Sequence, residues 1–245
     1  MIKNGVEIVN TWKCPTETGV PLLTMPNIPR PLHGCPPRKF MGQAMWDKVR
    51  KRCYFDADYK CEICGEEFVK PRYAAHELYT IDYKEGISKF ERCIAIDSQC
   101  HDFIHSGRLI TMYKNRNPLY PKSYVLKTVE KGFKLISEWN KSHPDDKPLR
   151  AYATFLEYMK TDLAPEMSEL ISKYGIEFYS EPRRIAKWGK WRMVWNGKEY
   201  PTPYKNQKEW EEAMHEASKN DNVRAVANPF EGEAFDEIDK ILNKL

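Results

Sequence analysis

The strongest constraint on this chain is a set of metal-ligand spacings packed into residues 61 to 105. Cys61-Glu62-Ile63-Cys64-Gly65 sets two thiols two residues apart with a glycine behind them, the tight knuckle that turns both sulfurs toward one zinc ion. Cys100 supplies a third thiol. A second pair of the same spacing would need cysteine at 97, where the chain has Asp97-Ser98-Gln99-Cys100; carboxylate is an acceptable zinc ligand, so Asp97 is the first candidate for the fourth position. Cys93 is the rival, although along an extended strand it stands about 13 Å from position 97. The bland alternative is a group of buried free cysteines, since free thiols are common in cores.

Histidines fall inside the same boundaries. His101 and His105 are four apart, so on a helix they share one face and point at one cation. His76-Glu77 lies between the knuckle and that pair. A lone histidine is usually a core or surface residue, but three within one knuckle's bounds read as ligands. His33, His143 and His215 lie outside the constellation, and Asp102 reads as a solvent-facing or helix-start charge without a role.

Composition narrows the class. The chain has 245 residues, 13% aromatics and 7 cysteines, enough for a folded core plus smaller modules and against disorder. An odd cysteine number without a signal-peptide pattern argues for metal ligands and core thiols over a disulfide framework. No apolar run is long enough to span a bilayer, so a cytoplasmic protein without membrane contact is expected. A net charge of +4 is too mild to announce a nucleic-acid binder by itself.

The patterning predicts an α+β chain in five segments. Residues 1–40 form a proline-rich extended arm, since Pro15, Pro21, Pro26, Pro29, Pro31, Pro36 and Pro37 block helix and central strand alike. Residues 41–115 hold a short helix with Trp46, Val49, Arg50 and Cys53 at helical spacing, then the knuckle. A strand over 73–81, a turn at Glu85-Gly86, a strand over 90–96 and a helix from about Gln99 complete that segment. Residues 116–175 are helical, with Leu126, Val129, Phe133, Ile136 and Trp139 on one side of the first helix, a break at Pro165 and a stop at Gly175. Residues 176–225 form a separate hairpin–helix module turned by Asn196-Gly197, and 226–245 close with a helix docking through Phe235, Ile238 and Ile241 or Leu242.

With CEICG, AAHELYTID and ERCIAIDSQCHDFIHSG in view, the chain resembles the HNH endonuclease family of phage and bacteria in its cysteine-stapled, ββα-metal form. The likeness covers about a fifth of the chain, and 27–60 is similar to the leader that precedes the knuckle in such members. It implies a ββα-metal core with a structural Zn²⁺ on Cys61, Cys64, Asp97 and Cys100. It also implies a separate catalytic divalent cation, Mg²⁺ or another, faced by His76, His101 and His105. The family's dipeptide corresponds to His76-Glu77. Either His76 binds metal and Glu77 is the base, or His76 is the base and the metal rests on His101 and His105. The family's central Asn falls at Arg92, which would meet the scissile phosphate or clamp the loop.

The activity so implied is metal-dependent hydrolysis of DNA phosphodiesters; the alternative is a non-catalytic, zinc-stabilised adaptor that binds DNA or protein. Two basic runs fit DNA. Arg50, Lys51 and Arg52 offer a phosphate-contacting edge or simply a solvated helix face. Arg183, Arg184, Lys187, Lys190 and Arg192 interleave with Trp188, Trp191 and Trp195, as cations gripping phosphate beside stacking aromatics would. The competing reading makes those tryptophans the module's own core.

Overall fold

The computed structural model describes residues 2–3, 6–68, 73–182 and 184–224, in two compact units bounded at Pro203 and Tyr204. The first unit begins with β1 (Ile2–Lys3), β2 (Val6–Ile8) and β3 (Thr11–Trp12), followed by α1 (Pro37–Met41) and α2 (Gln43–Asp56). Next come β4 (Tyr73–Asp82), β5 (Ile87–Asp97), α3 (Ser98–Ile104), α4 (Ser106–Lys114) and α5 (Lys122–Ser142). β6 (Ala151–Tyr152), α6 (Ala164–Tyr174), β7 (Phe178–Ser180), β8 (Arg192–Trp195) and β9 (Lys198–Pro201) complete it. In the second unit α7 (Gln207–Arg224) is described; the expected closing helix over 226–245, with Phe235, Ile238, Ile241 and Leu242, lies outside the described residues, as does Arg183.

The fold is mixed α and β, with two sheets in the orders β1-β2-β7-β6 and β3-β4-β5-β8-β9. Its centre is the antiparallel pair β4–β5, where His76 stands opposite Ile94 and Tyr73 opposite Asp97. Gly86, at a φ of 69°, takes the left-handed position in the connecting turn, where a side chain would meet Ala186 Cβ at 2.8 Å. The strand, turn, strand, helix order expected between 73 and 104 is therefore present in the backbone. Both faces of the hairpin are covered, so β4 shows an unbroken buried run from His76 to Tyr79 in place of alternation.

α5 buries Val125, Val129, Phe133 and Ile136, with Gly132 in the same stripe. The Phe103 ring of α3 lies over that glycine: a Cβ there would sit 2.1 Å from Phe103 Cδ2. The helical stretch after 150 breaks as expected. Residues Ala153–Lys160 form a 3-10 turn, Pro165 stands in the first turn of α6, and Gly175 ends it at a φ of 60°.

Three expectations are corrected. The proline-rich segment is not a free arm: Leu22, Leu23, Met25 and Leu32 are buried in the main core, because proline removes ladder donors but leaves neighbouring side chains free to pack. The Asn196-Gly197 hairpin forms, but β8 pairs in parallel with β5 and makes the hairpin an extension of the central sheet instead of part of a separate module. The sequence showed the hairpin's turn and could not show which edge its strand would join. Nor do 41–115 and 116–175 stand apart, since one apolar cluster joins β4, β5, α3 and α5.

Trp191 is fully buried against Tyr83, its indole Nε1 donating to Ala186 O at 3.1 Å, so it is core and not a stacking platform. Among the described residues no helix is long and apolar enough to cross a membrane.

Candidate metal centres

The knuckle forms because Gly65 takes a φ of 73°, which lets its N–H donate to Cys61 O at 2.8 Å and doubles the chain back. Cys61 and Cys64 thereby meet Cys100, near the start of α3, and Asp97 at the end of β5; the four ligand atoms all lie within 4.8 Å of one another. This cluster can hold a metal ion. Cys93 is not in it, standing instead opposite Glu77 on the hairpin. Asp97 divides its work. Oδ1 caps α3, accepting from the N–H groups of Gln99 at 2.8 Å and Cys100 at 3.1 Å, while Oδ2 lies 3.3 Å from Cys64 Sγ and 3.4 Å from Lys131 Nζ.

The chemistry of the donor set fits a cation. Hydrogen bonds from Cys100 and Cys64 pull the Cys61 thiol well below the usual thiol range, and the thiolate so favoured beside Cys100 pushes that thiol far up. Three sulfurs cannot all ionise together without a positive charge among them, and sulfur with carboxylate is a zinc-compatible set. Four anionic donors would exceed the charge of a divalent ion, and the Lys131 ammonium, also 2.6 Å from Glu66 Oε2, offsets part of the excess.

Arg92 braces this knuckle. Its Nη1 lies 3.3 Å from Glu62 Oε2, while Glu62 Oε1 accepts from Ala95 N–H at 2.9 Å and the Glu62 N–H donates to Ala95 O at 2.9 Å. The contact Arg92 makes is thus with Glu62, between the two knuckle cysteines.

The second cluster joins His76 of β4, His101 of α3 and His105, with ligand nitrogens again within 4.8 Å of one another. Ring centroids are 5.3 Å apart for His76 and His101, 4.9 Å for His76 and His105, and 4.6 Å for the helical pair. One detail departs from expectation. His105 is not inside a continuous helix but is the residue at which α3 ends and α4 begins, although its N–H still donates to His101 O at 3.0 Å. His76 Nε2 is buried and has no hydrogen-bond partner among the described residues, the state of a nitrogen left for a cation.

Burial, with the Arg38 and Arg108 guanidiniums adding to it, lowers the His76 pKa to about 3. Burial likewise drives His101 and His105 well below the ordinary range, and His33 is one of the groups acting on His105. All three imidazoles are thus neutral, as ligands must be. Arg38 escaped sequence reading because it lies far from the histidines in the chain, whereas Arg108 carried a signal that was passed over, its three-residue interval from His105.

A pH dependence follows for the metal-free chain. Unfolded, His76 takes up a proton near its ordinary 6.5; folded, it resists down to about 3. Stability is complete above 6.5 and is lost as pH falls through that window. Melting after chelation is expected to drop by several degrees between about pH 7 and about pH 5; a flat profile would show the triad to be solvated.

Glu77 belongs to other surroundings. Strand alternation turns it away from His76, burial raises its pKa against the Arg38 guanidinium and backbone N–H, and its charge acts on Tyr79 and Cys93. Asp102 is corrected outright. It is buried, paired with Arg108 and bonded to the Tyr124 hydroxyl at 2.7 Å, because α5 and α4 close over what the sequence left open. Of the basic runs, Arg50 pairs with Asp47 at 2.8 Å, Arg52 with Asp56 at 2.7 Å and Arg192 with Glu199 at 3.1 Å; Lys51 is half-buried, and Arg184, Lys187 and Lys190 are exposed. None of these residues belongs to either cluster. No protein-family model, curated protein or solved structure matches this chain.

Proposed function

We propose that this chain is a metal-dependent nuclease of the HNH type, hydrolysing phosphodiester bonds in DNA, with a structural zinc on Cys61, Cys64, Asp97 and Cys100. The observation that carries the reading is the His76, His101 and His105 triad. Three neutral imidazoles converge there, one with an orphaned nitrogen, and two guanidiniums stand near enough to depress their protonation. Three histidines leave part of a cation's coordination open, the mark of a catalytic and not a structural site. A divalent cation bound there supplies Lewis-acid polarisation of a phosphate ester.

The chain's own contribution is to orient the three rings and keep them unprotonated near neutral pH, while Arg38 and Arg108 make the surroundings favourable to an anionic substrate. His76 serves as a ligand in this reading. The placement of Glu77 with Tyr79 and Cys93 specifically favours a second reading, in which the same scaffold binds DNA without cutting it.

Supercoiled plasmid decides between them. With Mg²⁺, Mn²⁺ or Ni²⁺ the protein is expected to produce nicked or linear DNA, and His101→Ala to slow this by at least about 100-fold. Absence of metal-dependent nicking by the unaltered protein would leave the binding reading. Equal nicking by the variant would place the chemistry elsewhere.

A further inference from the structure

We propose that Arg108 seats a backbone phosphate of the nucleic acid beside the histidine triad, and that Asp102 is the positioning residue that aims it. Arg108 lies three residues past His105, in the first turn of α4, so the two side chains leave the helix on neighbouring positions of one face. One end of its guanidinium is held by Asp102 Oδ1 through Nη2. Among the described residues that guanidinium has no other hydrogen-bond partner, and the Arg108 side chain keeps 43% of its exposure against 6% for Asp102. The contrast separates an anchor from a free donor face: a buried carboxylate fixes one nitrogen, and the remaining N–H groups look outward in a planar fork suited to phosphate.

The anchor is itself anchored. Tyr124 of α5 donates to Asp102 Oδ2 at 2.7 Å, so both carboxylate oxygens are committed and the acid cannot swing. Asp102 also lies in α3 between the two helical histidines, so the elements that aim the triad aim the arginine. A surface arginine would lose several rotatable bonds on gripping a phosphate; this one has part of that ordering done beforehand. The ligand is a phosphodiester, and the inference rests on the nuclease reading for its substrate but not for its test.

Binding of a fluorescein-labelled DNA duplex is followed by anisotropy across a salt series, with Ca²⁺ replacing the active metal so that the duplex survives, and nicking is measured in parallel. Arg108→Ala is expected to weaken binding about tenfold and to lower the slope of log affinity against log salt by about one. Asp102→Asn removes a negative charge, so a merely electrostatic role predicts equal or tighter binding at an unchanged nicking rate. Positioning predicts the opposite, a loss of affinity in the direction of Arg108→Ala, with kcat falling about tenfold where nicking is measured. Tyr124→Phe, a milder change that spares the fold should Asp102→Asn not express, is expected to move kcat in the same direction.

An Arg108→Ala protein with unaltered affinity and salt slope overturns the proposal, whether or not the unaltered chain nicks. If Arg108 governs affinity and no metal supports nicking, the phosphate seat stands and the nuclease reading falls.

Discussion

Cys100→Ser is expected to strip the knuckle of its metal and to cost the first unit much of its stability. The Cys100 sulfur sits at the junction of everything that organises the site: it lies with Cys61, Cys64 and Asp97 in one cluster, its own N–H is capped by Asp97, and the next residue is His101. Serine offers a poor zinc donor at that point, and Cys61, Cys64 and Asp97 are then left crowded together with the Lys131 ammonium beside Asp97 and no cation to share. A metal site forms only in the folded chain, so its binding energy is folding energy; losing most of it is worth about 5 kcal/mol or more. The measurable results are a zinc content falling from about one per chain toward none and a melting temperature lower by about 10 °C or more. Chelation of the unaltered protein should reproduce the shift. A variant that keeps both its zinc and its melting point would show that the cluster is a group of core thiols.

Gly132→Ala should destabilise the protein, the reverse of what helix propensity expects. In the middle of a helix glycine is about 1 kcal/mol worse than alanine, and α5 carries this one at its centre with no turn or positive φ to require it. The reason lies across the contact. The new Cβ would fall 2.1 Å from Cδ2 and Cε2 of Phe103 and 2.7 Å from its Cγ. That ring cannot simply turn aside, being packed on Phe133 at 5.9 Å and Phe155 at 4.6 Å between centroids. Either α3 lifts from α5 or the aromatic cluster shifts, at a cost of about 2–3 kcal/mol net of the propensity gain. Melting is expected about 5 °C or more lower. Because α3 carries His101, metal uptake by the triad should weaken as well. An unchanged or raised melting temperature would mean that the two helices do not pack this closely.

These two positions mark where sequence reading succeeds and where it stops. The Cys61–Cys64 knuckle was legible because its chemistry is local: Cys-x-x-Cys-Gly needs only a reversed turn, and the backbone supplies it at Gly65. Cys100 and Asp97 were legible because they keep the same spacing at the head of a helix, where a carboxylate also serves as cap. The β4–β5 hairpin, its turn and the stripe of α5 followed from periodicity and turn residues. The helical histidines could be paired by their four-residue interval, even though α3 ends at the second of them.

What spacing could not carry was everything that depends on which surfaces meet. Asp102 read as a solvated charge until α4 and α5 were seen to bury it with Arg108 and Tyr124. Arg38 became a neighbour of the triad only through packing. The proline-rich segment read as an arm because prolines forbid a ladder, yet its leucines fill the core. The hairpin at Asn196-Gly197 was plain in the chain, but its parallel pairing with β5 was not. The sequence by itself indicated which residues could gather in each cluster, since each contains one closely spaced pair, Cys61 with Cys64 and His101 with His105. Tertiary structure alone decided what charges surround them, because a buried ion pair or a covered edge is set by contacts between residues that share no local pattern.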